Sequence, residues 1–348
     1  MLCQSLEKKE YFDCELPRTR QQMEDPESFL KTLNGKTIVL DEIHRLSNPS
    51  ELLKIAADHF PKIHIIATGS SSLQASKKFK DTLTGRKIEI WLTPMISDDL
   101  ADFNQTNLKH RLKSGGLPPF FLDPHPSGTT FQEWIDSYWA KDIQELFHLE
   151  RRHAFQRFLE LLFLQSGGIF EANAFTAPCE ISRTTVANYL NVLEATRVAH
   201  ILRPFAKHRQ SEIVAAPKVY TFDTGFVCHY RRWDDLRPED LGLLWEHMIL
   251  NEMQSQCPDL DVRYWRDKQK HEIDFILAPR GRDPLAIECK WSSKNFDPGN
   301  LKIFRTRYPK GDNWIVCQNV ERSFDKKEKG MTFHFLSLKD FIKKLCVL

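Results

Sequence analysis

A chain of 348 residues, 41% hydrophobic and 28% charged, has room for two or three domains and the composition of an ordinary globular protein. Its formal net charge of +2 excludes a whole-surface pull toward nucleic acid, so any basic surface must be local. No apolar run approaches bilayer length, the first ten residues do not read as a signal peptide, and the eight cysteines are scattered without C-x-x-C pairs or zinc-ligand spacing. A reduced, cytoplasmic protein with no membrane partner and no structural metal is expected.

In chain order, Tyr11-Phe-Asp-Cys-Glu-Leu-Pro17 reads as a strand ending in a loop. Arg18 to Thr32 is helical in character, with Asp25-Pro26-Glu27 as a start signal. Thr37 to Leu40 is an unbroken apolar, β-branched run, the pattern of a buried parallel strand, and Asp41 and Glu42 stand at its C-terminal end. An amphipathic helix over about Pro49 to Phe60 leads to a second such run, Ile63 to Ala67, which ends in Thr68-Gly-Ser-Ser-Ser72. Acids therefore stand on one strand tip and hydroxyls on its neighbour, at the sheet edge where ligands collect. Asp41 can hold Mg²⁺ through water, Glu42 can polarise an attacking water, and Thr68 and Ser70 can sense a terminal phosphate. The bland alternative is a strand end with solvated charges. A phosphate site also needs a Gly-rich turn and a lysine. No G-x-x-x-x-G-K-[ST] occurs anywhere, and the only glycine before Asp41 is Gly35. The strand and loop that would carry the motif are expected upstream of Leu2.

These stretches, together with Asp25-Pro-Glu-Ser-Phe-Leu30, Ile38-Val-Leu-Asp-Glu-Ile-His44 and Leu83-Thr-Gly-Arg-Lys87, resemble a family of bacterial and archaeal AAA-type ATPases. In that family an ATPase core precedes a C-terminal region of unknown function, and the resemblance runs along almost the whole chain. It implies ATP and Mg²⁺ as cofactors, Asp41 and Glu42 as the Walker B pair, Thr68 to Ser71 as the sensor region, and Arg86 as a phosphate-sensing arginine. It also makes a side-by-side oligomer a candidate. The sequence departs from the family in lacking a Walker A loop, so impaired nucleotide binding is expected. For Arg86, fixing a turn or pairing with an acid is the alternative.

After Glu89-Ile-Trp-Leu-Thr-Pro94, Pro118-Pro119, Pro124 and Pro126 mark a loop-rich junction, and Trp134 to Ile143 resumes a helix with core-type aromatics. An apolar helix from Arg157 to Leu164 leads to Gly167-Gly168. Glu180 to Leu193 then carries a helix-turn-helix signature. Ser182 is its N-cap, Val186, Leu190 and Leu193 face inward, and Arg183, Thr184, Thr185 and Asn188 face outward. A β-wing from His200 to Lys218 would carry Arg203, Lys207, His208 and Arg209. The two readings are a winged helix touching DNA and a winged helix used for protein packing. Val219 to Gly225 reads as a short strand and turn with a packing role.

The last region holds a second constellation. Gly242 to Glu252 is a helix with Glu246 near its start; Val262 to Arg266, Glu272 to Leu277 and Leu285 to Lys290 are strands. Glu288 and Lys290 are two apart and share a face, and Asp274 on the adjoining strand can meet them. Asp274 and Glu288, with Glu246, would bind Mg²⁺, and Lys290 would orient or activate a water for phosphodiester hydrolysis. The order resembles the restriction-endonuclease-like PD-(D/E)xK pattern; a nuclease-like fold kept as a scaffold or nucleic-acid grip is the alternative. Lys302, Arg305, Arg307 and Lys310 could lie against phosphates or form a solvated helix face. Phe333 to Leu348 closes the region with a strand and a helix.

The expected architecture is α/β. A partial P-loop-type parallel sheet spans 1–105, a helical linker or lid 106–150, a winged-helix domain 151–235 and a restriction-endonuclease-like domain 236–348. Three functions follow: an ATPase-family protein with a DNA-directed C-terminal half, a Mg²⁺-dependent nuclease acting through Asp274, Glu288 and Lys290, and a non-enzymatic DNA- or protein-binding remnant.

Overall fold

A computed structural model describes residues 6, 9–69, 83, 85–123, 126–144, 147, 149–206 and 216–348. The chain divides into two compact units: Met1–Ile90 with Asp136–Glu150 and Ala195–Arg197, and Trp91–Ile135 with Arg151–Glu194 and Val198–Leu348. The fold class is α/β, with an N-terminal parallel sheet, a helical middle and a C-terminal mixed sheet.

In the first unit β1 (Lys9–Asp13), β2 (Thr37–Asp41) and β3 (His64–Ala67) pair in parallel in the order β1-β2-β3. Ile38, Val39 and Leu40 are all fully buried, which is why β2 shows no alternation. The helical stretch before it is two helices, α1 (Pro17–Gln22) and α2 (Pro26–Lys31). Pro26 cannot donate into a helix interior but suits a first turn, and Asp25 caps it by accepting from the Ser28 amide at 3.1 Å. Helix α3 (Pro49–His59) returns the chain to β3. β3 departs from the expected buried strand: His64, Ile66 and Ala67 are exposed, because β3 is an edge of the described sheet with β2 on one side.

In the second unit α4 (Leu108–Ser114) precedes a run of helix, strand, two helices, two strands and a helix: α5 (Arg152–Gln165), β4 (Gly168–Ile169), α6 (Asn173–Cys179), α7 (Arg183–Ala195), β5 (Ala199–Leu202), β6 (Lys218–Thr221) and α8 (Thr224–Arg231). β4, β6 and β5 form an antiparallel sheet in that order. Lys207, His208 and Arg209 lie outside the described residues. The turn after β6 is a helix start: Asp223 caps α8 by accepting from the Gly225 amide at 2.8 Å.

Helix α9 (Pro238–Gln256) then leads to a six-stranded sheet of order β11-β12-β10-β9-β8-β7, built from β7 (Val262–Arg266), β8 (Glu272–Leu277), β9 (Leu285–Lys290), β10 (Asn313–Cys317), β11 (Phe324–Glu328) and β12 (Met331–Leu336). β7, β8 and β9 are an antiparallel meander, and β9, β10 and β12 are parallel. Helices α10 (Gly299–Arg307) and α11 (Leu338–Leu345) complete the unit. α9 begins four residues before the expected start, at Pro238, where Asp240 accepts from the Arg237 amide at 3.0 Å, so Glu246 sits mid-helix. α9 is buried along most of its length, and Trp245 donates its indole N–H to the Val316 carbonyl at 2.9 Å. Arg305 is neither a phosphate contact nor part of a solvated face: it is 6% exposed and donates to Asn313 Oδ1 and to the carbonyls of Pro284 and Tyr308. Lys302 and Arg307 are taken by Glu328 and Asp267, and Lys310 lies beyond the helix.

A polar knot ties the start of this unit to α9. Arg111, 1% exposed, donates to the Met95 carbonyl at 2.7 Å and to Thr224 Oγ1 at 3.1 Å. Asp223 accepts from the Gly116 amide at 2.6 Å, and burial pushes its carboxyl above the ordinary range against the pull of Arg111. Gly115 is required there: its φ is +86° and a Cβ would stand 2.1 Å from Asp223 Oδ1. On α9, Asn251 donates to the Pro94 carbonyl at 2.8 Å, and Glu252 accepts from the Ser97 amide at 2.7 Å. Arg111→Leu removes the cation that Asp223 and Glu252 share. A loss of about 3–5 kcal/mol in urea unfolding is expected, and Arg111→Lys should recover only part of it because a single ammonium nitrogen on a shorter reach cannot span both the Met95 carbonyl and Thr224 Oγ1 as the planar guanidinium does.

Candidate functional site

The first cluster sits at the C-terminal tips of β1, β2 and β3. Parallel pairing in register sets Asp13 beside Asp41, and the Thr68 amide donates to the Leu40 carbonyl at 2.9 Å, which brings the Thr68 hydroxyl alongside the acid. Thr68 Oγ1 donates to one Asp41 carboxylate oxygen and Tyr11 Oη to the other. Burial works to raise the Asp41 carboxyl, but these two donors hold it below its ordinary range. Glu42 is in a left-handed conformation at φ 53°, and its hydrogen bond to His44 lowers its carboxyl. The structure thus brings Asp41 and Thr68 together and adds Tyr11, which the sequence reading placed only in a strand. Arg86 lies against Asp58 of α3, at 2.7 Å and 3.4 Å to its two oxygens. Ser70 lies outside the described residues.

The second cluster is on the C-terminal sheet. Glu288 and Lys290 project from the same face of β9, and the Lys290 ammonium lies 2.6 Å from Glu288 Oε2 and 3.7 Å from Asp274 Oδ2. Asp274, on β8, also accepts from the Cys289 amide at 2.7 Å. Glu288 is 3% exposed, and among the described residues its Oε1 has no hydrogen-bond partner. Burial, with the Asp274 charge, pushes its carboxyl up to about 8 although Lys290 opposes the shift. Burial disfavours the Lys290 ammonium, but Asp274 and Glu288 outweigh it and raise Lys290 above its ordinary value.

Two residues of β6 complete this cluster. The Lys218 ammonium, its side chain 5% exposed, lies 2.7 Å from Glu272 and 3.3 Å from Glu246, and Tyr220 Oη donates to the same Glu246 oxygen at 2.8 Å. Glu246 therefore reaches the cluster, but with one oxygen already committed to a cation and a hydroxyl. Burial pushes its carboxyl up, opposed by Lys218. Asp274 and Glu288 are hard oxygen donors of the class that Mg²⁺ prefers, and these are the two residues here that could hold such an ion through a water-rich shell. Among the described residues, no three His, Cys, Asp or Glu side chains stand close enough together to hold a metal.

The helix-turn-helix residues fall on α7. Ser182 caps it by accepting from the Thr185 amide at 3.1 Å, Val186, Leu190 and Leu193 are buried, and Arg183, Thr184 and Asn188 are exposed, with Thr185 half-buried.

Two changes test the second cluster. Lys218→Met leaves Glu246 and Glu272 without their buried cation. It should cost about 3 kcal/mol in denaturant unfolding, part of which returns when Glu246→Gln is added. The second change concerns pH. A carboxyl raised from 4.5 to about 8 keeps its proton in the folded protein where the unfolded chain has lost it. The folded state then binds more protons, so this group's contribution to stability falls as pH rises between those two values. Glu288→Gln should gain stability relative to the native chain across that window, read as the difference in urea midpoint at each pH.

Comparisons with known proteins bear on these clusters. Residues 1–100 match the model of an AAA domain, and residues 105–237 and 241–341 match two domains of unknown function, DUF8612 and DUF4143. Uncharacterized proteins of Mycobacterium tuberculosis and Mycobacterium bovis are each 25% identical over 289 residues, covering 81% of this chain. The chain spans 64% of the length of these relatives. A solved chain from the half-complex of the tetradecameric assembly of Thermococcus gammatolerans McrB AAA+ hexamers with bound McrC aligns over 82% of this chain and 80% of its own. Its identity is 11% and its TM-score 0.25, a likeness too loose to bear on architecture. The likeness to AAA-type ATPases rests on residues 1–100. Among the described residues no helix is long and apolar enough to cross a membrane.

Proposed function

We propose that this chain is a member of an AAA-type ATPase family with a C-terminal half directed at DNA, and that its own hold on nucleotide is impaired. The observation that carries the nucleotide half is Asp41, clasped by Thr68 and Tyr11 at adjoining parallel strand tips within the residues that match the AAA domain. Asp41 would hold Mg²⁺ through water, Glu42 would polarise the attacking water, and Thr68 would report on the terminal phosphate. Mg²⁺, when bound, neutralises charge on the phosphates. No G-x-x-x-x-G-K-[ST] stands in the sequence to meet that charge with backbone amides and a lysine. Arg86 could serve a phosphate only by leaving Asp58. Arg183, Thr184, Thr185 and Asn188 on α7 are the residues proposed to meet DNA, the α5-to-β6 run being read as a winged helix.

A second reading, a Mg²⁺-dependent nuclease, is favoured by the close approach of Asp274, Glu288 and Lys290. Asp274 and Glu288 would hold the ion, which supplies charge neutralisation at the scissile phosphate. Lys290 would orient the attacking water, and Glu288 would lose its proton on loading, so metal binding would release protons.

Titration calorimetry of ATP·Mg²⁺ into the chain tests the first reading. Dissociation constants weaker than about 1 mM are expected, and micromolar binding that Asp41→Asn abolishes would overturn the impairment. Plasmid incubated with the chain and Mg²⁺ tests the second. Nicking that disappears in Lys290→Ala and Asp274→Ala supports cleavage, whereas retarded DNA without nicking leaves only the grip.

A further inference from the structure

Helices α9 and α11 end on cysteines that face each other. Cys257 caps the C-terminus of α9 and Cys346 that of α11, and their sulfurs lie 3.9 Å apart. Both backbones are held there: the Cys257 amide donates to the Met253 carbonyl at 2.9 Å and the Cys346 amide to the Ile342 carbonyl at 3.1 Å. Closing the sulfurs to the roughly 2.0 Å of a disulfide needs side-chain rotation and a small approach of two helix ends. Access is graded in a useful way. Cys346 is exposed and Cys257 half-buried, while Cys14, Cys179, Cys228, Cys289 and Cys317 are buried. Burial and the neighbouring sulfur push the Cys257 thiol up to about 11, so the exposed partner is the one placed to react first.

We propose that Cys257 and Cys346 form a reversible dithiol–disulfide site that reacts with low-molecular-weight disulfides. The Cys346 thiolate attacks one sulfur of the small disulfide, forms a mixed disulfide and releases one thiolate. The Cys257 sulfur, giving its proton to solvent, then attacks Cys346 Sγ and expels the second small thiolate, which takes up a proton. Two protein thiols are oxidised to one disulfide, and one small disulfide is reduced to two thiols. The new bond closes a loop that contains all six strands of the C-terminal sheet and fastens α11 to α9, which restricts the unfolded chain far more than the folded one.

The test uses the full chain incubated with oxidised glutathione, followed by alkylation, proteolysis and mass spectrometry. The expected product is a Cys257–Cys346 linked peptide pair, two hydrogens lighter than the sum of its parts and separated again by dithiothreitol. It should come with an upward shift of several degrees in the thermal midpoint that Cys346→Ser abolishes. A glutathione adduct that persists on Cys346 while Cys257 remains open to alkylation would overturn the proposal.

Discussion

The C-terminal half depends on one requirement: each polar side chain that helix α9 carries inward must find at least one partner there. A buried carboxylate left without a counter-charge or donor costs several kcal/mol, more than a typical apolar side chain contributes. α9 carries Glu246, His247, Asn251 and Glu252 inward among Trp245, Met248 and Ile249. Each is met by a residue distant in sequence: Glu246 by Lys218 and Tyr220, His247 by Ser166 at 2.7 Å, Asn251 by Pro94 and Glu252 by Ser97. Burial pushes His247 down to about 3, so the ring is neutral; its Nδ1–H donates to Leu243 and its Nε2 accepts from Ser166. These bonds select one placement of the helix, because sliding it by a single residue would strand all four groups at once.

The N-terminal cluster answers the same requirement differently. Asp41 is held by hydroxyls rather than by a cation, and its carboxyl lies below the usual range instead of above it. An ionised acid stabilised by neutral donors keeps its charge available to an incoming cation. The C-terminal acids already share ammonium groups, two acids to each: Glu246 and Glu272 that of Lys218, Asp274 and Glu288 that of Lys290. A divalent ion there has to compete with ammonium groups that the fold has placed. Among the described residues, the buried Glu288 Oε1 has no hydrogen-bond partner of its own.

What could be read from the sequence follows from the range of the interactions. The run Thr37 to Leu40, the cap at Asp25, the meander from Val262 to Lys290 and the shared face of Glu288 and Lys290 are set by local periodicity, and the structure reproduces them. The exposure of β3 is a property of sheet order, which a strand's own residues do not encode. Tyr220 reads as packing and Lys218 as the end of a wing because their shared partner lies 26 and 28 residues away, on a helix that starts earlier than its sequence suggests. The one available signal was a lysine and a tyrosine alternating within a short apolar strand, where a lysine needs a buried acid. Arg305 departs from its sequence reading for the converse reason: a cation in a basic helix reads as solvated, yet it pins the Tyr308 carbonyl just after the helix and the Pro284 carbonyl before β9.

The arrangement on α9 has a mechanical consequence. Glu246 holds β6 through Lys218 and Tyr220, and little more than one turn later Asn251 and Glu252 hold the segment around Pro94 and Ser97. A helix is stiff over that length, so its hydrogen-bonded ladder transmits displacement rather than absorbing it. Drawing the Pro94–Ser97 segment away would require either breaking one buried and one part-buried hydrogen bond or moving α9, and moving α9 shifts Glu246 against Lys218 and hence the charges beside Asp274 and Glu288. The acid cluster is therefore mechanically continuous with the segment that opens its unit, through the polar contacts that α9 makes at both places.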